Sequence, residues 1–397
     1  VDPLLEKATR QHTKEHNSRL LLRTIYEYGA ISRADLARLT QLTRATVSDA
    51  VGELLERGLL EEVGHGTVAI GRTPILLSVV ADARQVAAIS VTNERVVGAL
   101  VNLRGELRAS VTLDVPSCDG EAILETIYAV ADQLRRTAEH PLLGIGINTP
   151  GLIDVERGTV VRAVDFGWVD LPLRALVQER CQLPVYLAND SHSLALAEYM
   201  FGQAQGTPDL IVVKVGNGIG AGIVLGDRLY TGEGNGAGEI GHLVVAEDGP
   251  LCKCGNRGCL ETVASSAAIL RQARELRLTQ PSALSAEPTL EELAHLAEAG
   301  DPLARAVIAD AGRYLGIALA SLVSVLNIRR VLITGHVAPL GELLRKAVVT
   351  NLARRCLPAL AHATVVEVVA LGPDAPLLGA AAPLLTFELG IERLFRP

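Results

Sequence analysis

Lysine is scarce in this chain. Five lysines stand beside 32 arginines in 397 residues, and acidic side chains outnumber basic ones 45 to 37, for a net charge of −8. That balance argues against a uniformly basic nucleic-acid binder. No uninterrupted apolar run reaches the ~18 residues of a membrane span, and there is no low-complexity segment. The opening VDPLLEKATRQHTKEHN lacks the shape of a signal peptide. These absences predict a cytoplasmic protein with no membrane partner. Disulfides are unfavourable in that reducing compartment, so clustered cysteines point to metal.

Apolar residues make up 49% of the chain, and its length suggests two or three domains with full cores. Charge is distributed unevenly. Residues 1–72 carry ten basic and ten acidic side chains, whereas residues 73–397 carry 27 and 35. Within 7–44, eight basic side chains face three acidic ones, a local +5 that marks a specialised surface.

That basic stretch has helical punctuation. SRLLLRTIYEYGA (18–30) spaces Leu21, Leu22, Ile25 and Tyr28 on one helix face and stops at Gly29. SRADLARLT (32–40) follows, with Ser32 as N-cap and Asp35 three residues on. After a short break, RATVSDAVGELLERG (44–58) is capped by Thr43, buries Val47, Val51, Leu54 and Leu55, and ends at Gly58. Two short strands around a Gly-rich turn complete a winged helix-turn-helix over residues 1–80. Its third helix would enter the major groove, with Thr43, Arg44, Thr46 and Ser48 facing DNA and Arg72 in the wing reaching phosphate or the minor groove. A small helical interaction domain that never touches DNA is the alternative.

From Arg84 onward strands and helices alternate. Two successive βββαβαβα-like halves predict an α/β architecture of two lobes with a cleft between them, over 81–397. The first lobe should span about 81–190 plus the C-terminal helix, the second about 191–380.

Four motifs in these halves stand out: PGLID (150–154), AND (188–190), GNGIGAGIVLGDRLYTGEGNGAGEIGH (216–242) and CKCGNRGCLE (252–261). Together they resemble the ROK family of sugar kinases and sugar-responsive repressors, and the front domain matches its repressor branch. The resemblance implies an actin-like, sugar-kinase-type fold. It also assigns His242, Cys252, Cys254 and Cys259 to one structural zinc, a donor set that tetrahedral zinc favours. A reduced thiol cluster or redox switch is the alternative. Cys118, Cys181 and Cys356 lie in ordinary apolar or helical contexts. By the same resemblance Asn189, Asp190, Glu239, His242 and Glu261 contact sugar hydroxyls, Asp190 at the position of the kinases' base. Asn189–Asp190 also reads as the N-cap of the helix at 191–202.

Three departures weaken a kinase reading. SVTNER (90–95) replaces the DxGGT-type phosphate turn, Asn217 stands where the family usually has Thr, and Gly335–His336 replaces a GG pair. A fourth, DFGW (165–168) for NLGW, turns an amide into a carboxylate. The expected function is a sugar-responsive transcriptional repressor, a homodimer or homotetramer on operator DNA whose small-sugar effector is glucose-, xylose- or N-acetylglucosamine-like. An active sugar kinase with an added DNA-binding domain, and a regulator whose sensor lobes bind no ligand, are the alternatives.

Overall fold

The computed structural model describes residues 10–65, 73–117 and 119–390. Arg72 and Cys118 lie outside them. The front unit comprises α1 (Arg10–Tyr28), β1 (Ile31–Ser32), α2 (Arg33–Thr40), α3 (Arg44–Glu56), β2 (Leu60–His65) and β3 (Ile75–Val79). Caps start the helices where the sequence places them. Ser32 Oγ accepts from Asp35 N at 3.2 Å, and Thr43 Oγ1 accepts from Thr46 N at 3.2 Å. Leu21, Leu22, Ile25, Val47, Ala50, Val51 and Leu54 are buried together. Two details correct the sequence reading. Tyr28 is 62% exposed, because Gly29 turns the chain left-handed immediately after it. β1 adds a third strand by pairing Ile31 with Leu77, in a sheet of order β1-β3-β2. Two residues are too few to show a period.

The first lobe contains β4 (Gln85–Val91), β5 (Arg95–Asn102), β6 (Leu107–Asp114), α4 (Gly120–Thr137), β7 (Leu142–Thr149), β8 (Leu152–Asp154), β9 (Thr159–Ala163), β10 (Trp168–Leu171), α5 (Leu173–Cys181) and β11 (Val185–Asn189). Then α6 (Asp190–Phe201) crosses to the second lobe's sheet. That lobe contains β12 (Leu210–Val215), β13 (Ile219–Leu225), β14 (Arg228–Leu229), α7 (Leu260–Ala264), α8 (Ser266–Arg277), α9 (Leu290–Glu298), α10 (Pro302–Leu326), β15 (Arg330–Gly335), α11 (Gly341–Ala353), α12 (Pro358–Ala363) and β16 (Val365–Val368). The last helix, α13 (Ala375–Glu388), returns to the first lobe.

The two central sheets run β11-β7-β4-β5-β6 and β14-β13-β12-β15-β16. In each, three antiparallel strands are followed by two that lie parallel to the first. The lobes therefore repeat one topology, and the carboxyl ends of β7, β11, β12 and β15 open on the interlobe cleft, where such sheets bind ligands. β8, β9 and β10 form a small separate sheet. α10 has the length and apolarity of a membrane span, but its Leu303, Val307, Ile308, Leu315, Leu319 and Val323 are buried in the second lobe's core.

α13 lies on β4 and β7 and also packs on α6. Glycine permits both approaches: a Cβ at Gly146 would overlap Ala380 O, and one at Gly379 would overlap Ser193 O. The front unit's core continues without a break into Val86, Ala99, Val101, Leu384, Leu385 and Leu389. Polar contacts reinforce that junction. Arg104 donates to Tyr26 O at 3.1 Å with its guanidinium 4.9 Å from the Tyr26 ring, and Arg19 stacks 4.7 Å from the Phe387 ring.

Candidate functional site

The metal-ligating candidates converge. One donor atom from each of His242, Cys252, Cys254 and Cys259 lies within 4.8 Å of all the others. The sulfurs of Cys254 and Cys259 are 3.6 Å apart, and Cys252 Sγ is 3.6 Å from His242 Nδ1. Metal–ligand bonds of ~2.0–2.3 Å in a tetrahedron require edges of roughly 3.5–3.8 Å, which these two pairs meet, and one imidazole with three thiols is a donor set compatible with structural zinc. Backbone bonds fold the loop: Cys252 N donates to Asn256 O at 2.7 Å, and Leu251 and Val244 bridge to Arg257 and Cys259. Gly258 has φ 67°, and a Cβ there would overlap Ala246 O, so no other residue fits. Burial and the neighbouring thiols push Cys259 up to about 12. A cation among the sulfurs reverses that effect, because it favours thiolates.

His242 serves two sides. With Nδ1 turned to the sulfurs, Nε2 lies 3.9 Å from Glu239 Oε2 toward the cleft. Burial raises the pKa of the Glu239 carboxyl, His242 opposes the shift, and the nearby Asp190 and Glu261 carboxylates add to it. Glu261 accepts from Ile219 N at 3.2 Å, which fixes the start of β13 to α7, the helix that follows the thiol loop.

On the facing side, Asn189 caps α6. Its Oδ1 accepts from Ser191 N at 2.8 Å and His192 N at 3.3 Å, while Nδ2 donates to Gly151 O at 2.9 Å. The amide thus ties the AND turn to the PG turn. Asp190 is paired with Lys214 of β12, a residue that sequence reasoning missed. Burial alone would raise the Asp190 carboxyl, but the Lys214 ammonium and the Ser191 donors outweigh it and hold the group below the usual carboxylate range. A second missed cation is Lys253, between two of the thiols and paired with Asp165 and Glu261. Neither lysine had a local signal beyond the rarity of lysine itself.

The position of the kinases' phosphate turn, between β4 and β5, is closed on itself. Thr92 Oγ1 accepts from Arg95 N at 3.1 Å and donates to Arg95 O at 2.8 Å. In the second lobe, Ser266 Oγ lies 3.4 Å from Asn217 Oδ1 and 3.3 Å from His336 Nδ1, so Ser266 links the two altered residues.

In the front unit Thr43, Arg44 and Ser48 are exposed and Thr46 is half-buried, around the N-terminal end of α3, which buries Val47 and Val51. The Thr43 and Thr46 hydroxyls bond at 2.9 Å. The Arg72 expectation falls outside the described residues.

Fold and site define a class: a winged helix-turn-helix mounted on a two-lobed α/β domain of the sugar-kinase type. Comparison with known proteins agrees. The MarR family model matches residues 17–68 and the ROK family model residues 86–386, and the chain belongs to the ROK family. It is 32% identical over 383 residues to a xylose repressor of Caldicellulosiruptor bescii, covering 94% of this chain and 96% of that one. Among solved structures, a ROK family transcriptional regulator, a homologue of the E. coli MLC protein, superposes with TM-score 0.84 at 29% identity over 96% of this chain and 99% of that one. A ROK family glucokinase from Streptomyces griseus, in complex with glucose and AMPPNP, superposes with TM-score 0.66 at 29% identity, covering 75% of this chain and 98% of that one. The kinase match is thus shorter.

Proposed function

We propose that the protein is a sugar-responsive transcriptional repressor. One observation supports the mechanism: α13 packs on α6, which begins at the cleft, and shares a hydrophobic core with the winged-helix unit, where its Phe387 ring meets Arg19 of α1. Asp190 starts α6, α6 packs on α13, and α13 shares its core with the winged helix. A sugar held by Asn189 and Asp190 on one side and by Glu239, His242 and Glu261 on the other favours closure through contacts that the open state lacks. Closure moves α6 and α13, and with them the orientation of α3. Thr43, Arg44, Thr46 and Ser48 meet operator DNA, and Arg72 contributes a further contact. Two copies of the chain, in a dimer or tetramer, place two reading helices at a fixed spacing. A structural zinc on His242, Cys252, Cys254 and Cys259 braces the sugar-facing loop.

We further infer that sugar phosphorylation is absent. Thr92 covers a backbone N–H that a phosphate loop would leave free, and the Lys214 ammonium lowers the basicity of Asp190. The kinase reading draws only on the retained Gly-rich loop and the glucokinase likeness.

The test is a thermal-shift screen with xylose, glucose and N-acetylglucosamine, followed by operator titration with and without each hit. At least one sugar should stabilise the protein and change its operator affinity. Stabilisation by none refutes the sensor. ATP-dependent turnover of any of them, abolished by Asp190→Asn, refutes the non-enzymatic reading.

A further inference from the structure

Two of the chain's five lysines lie between the lobes. Lys214 of β12 pairs with Asp190 after β11, and Lys253 of the metal loop pairs with Asp165, which follows β9. In each pair the carboxylate comes from the first lobe or its hinge and the cation from the second lobe.

The outer pair joins two rigid anchors. Lys253 Nζ is 3.0 and 3.3 Å from the two Asp165 oxygens and 3.2 Å from Glu261 Oε1. Its main chain is held on both sides by the cluster of Cys252 and Cys254. Asp165 lies in the short 3-10 turn Val164–Phe166, which ends at the left-handed Gly167 with φ 66°. Phe166 and Trp168 beside it are buried and meet edge to face with centroids 4.9 Å apart. Trp168 Nε1 donates to Gly120 O at 3.0 Å, which fixes the corner to α4. The charge at position 165 is therefore matched by a cation from the opposite lobe.

We propose that Asp165 and Lys253 are positioning residues that set the metal loop's register against the first lobe. Through the contact of Lys253 with Glu261, the bridge also fixes one of the groups assigned to the sugar. Its consequence for sensing rests on the function proposed above; the bridge itself does not, so its test needs no sugar. Both side chains are partly exposed, 34% for Lys253 and 51% for Asp165, and an ordinary surface pair of that kind would couple nothing.

The experiment is hydrogen–deuterium exchange on the full zinc-loaded chain for the parent, Asp165→Asn, Lys253→Gln and the double variant. Asp165→Asn should speed exchange across residues 251–261, in the other lobe, by about two- to five-fold. The double variant should exchange there no faster than Lys253→Gln alone, because either change breaks the same bridge. Raising salt from roughly 0.05 to roughly 0.5 M should shrink the parent's advantage. Should Lys253→Gln lose zinc, Asp165→Asn decides alone, since it touches no thiol. Faster exchange confined to residues 163–168, or single effects that add in the double variant, overturns the proposal. If no sugar binds while the exchange pattern holds, the sensor reading fails and the bridge stands.

Discussion

Asp190→Ala tests the inner pair. The Asp190 side chain is 17% exposed and that of Lys214 32%, so truncating the acid leaves a partly buried ammonium group without its partner. Removing one partner of a fully buried pair costs ~3–5 kcal/mol, and the partial access of Lys214 lowers the expected loss to about 2 kcal/mol. Lys214→Met added to Asp190→Ala should recover more than half of it, with a coupling of about 1–2 kcal/mol. Urea unfolding followed by circular dichroism and by Trp168, the chain's single tryptophan, gives both numbers. The pH dependence has a fixed sign. Because the fold lowers the Asp190 pKa, its contribution is present above the ordinary carboxylate value of about 3.9 and is lost as pH falls through the lower, folded-state value. The parent's advantage over the double variant should therefore be level from neutral pH to about pH 5 and vanish in stronger acid. Equal stability of Asp190→Ala and the parent, or strictly additive single effects, would refute the account.

Metal analysis should find about one zinc per chain, and Cys254→Ser should lose it together with thermal stability and any sugar-induced shift; fresh, unchelated protein without zinc rules the site out. Arg44→Ala should weaken operator binding by roughly 1–3 kcal/mol and blur discrimination between sites, as read by electrophoretic mobility shift or fluorescence anisotropy. Operator affinity should also fall steeply with salt, since phosphate contacts release counterions, and a flat salt response would remove α3 from the DNA.

Local chemistry made much of this molecule legible in its sequence. The caps at Ser32 and Thr43 are signals three residues long, written where the helices begin. The two matching halves follow from strand and helix periodicity, and the thiol loop announces itself because three of its four donors fall within eight residues. Other features had no such signature. Tyr28 keeps helical spacing with Leu21 and Ile25 yet is exposed, because burial depends on what packs against a face and spacing along one helix does not say where its covering elements end. The strands of the β8–β10 sheet are only three to five residues long, too short for alternation to declare them. Lys214 lies 24 residues from Asp190, and Lys253 lies 88 from Asp165. Hydrogen bonds within a turn and periodic burial are written in neighbouring residues, whereas an ion pair across a cleft exists only after both lobes have folded and met. The sequence by itself determined where the caps, the two repeated halves and the thiol cluster lie, and only the tertiary structure decided which lysine Asp190 and Asp165 each hold.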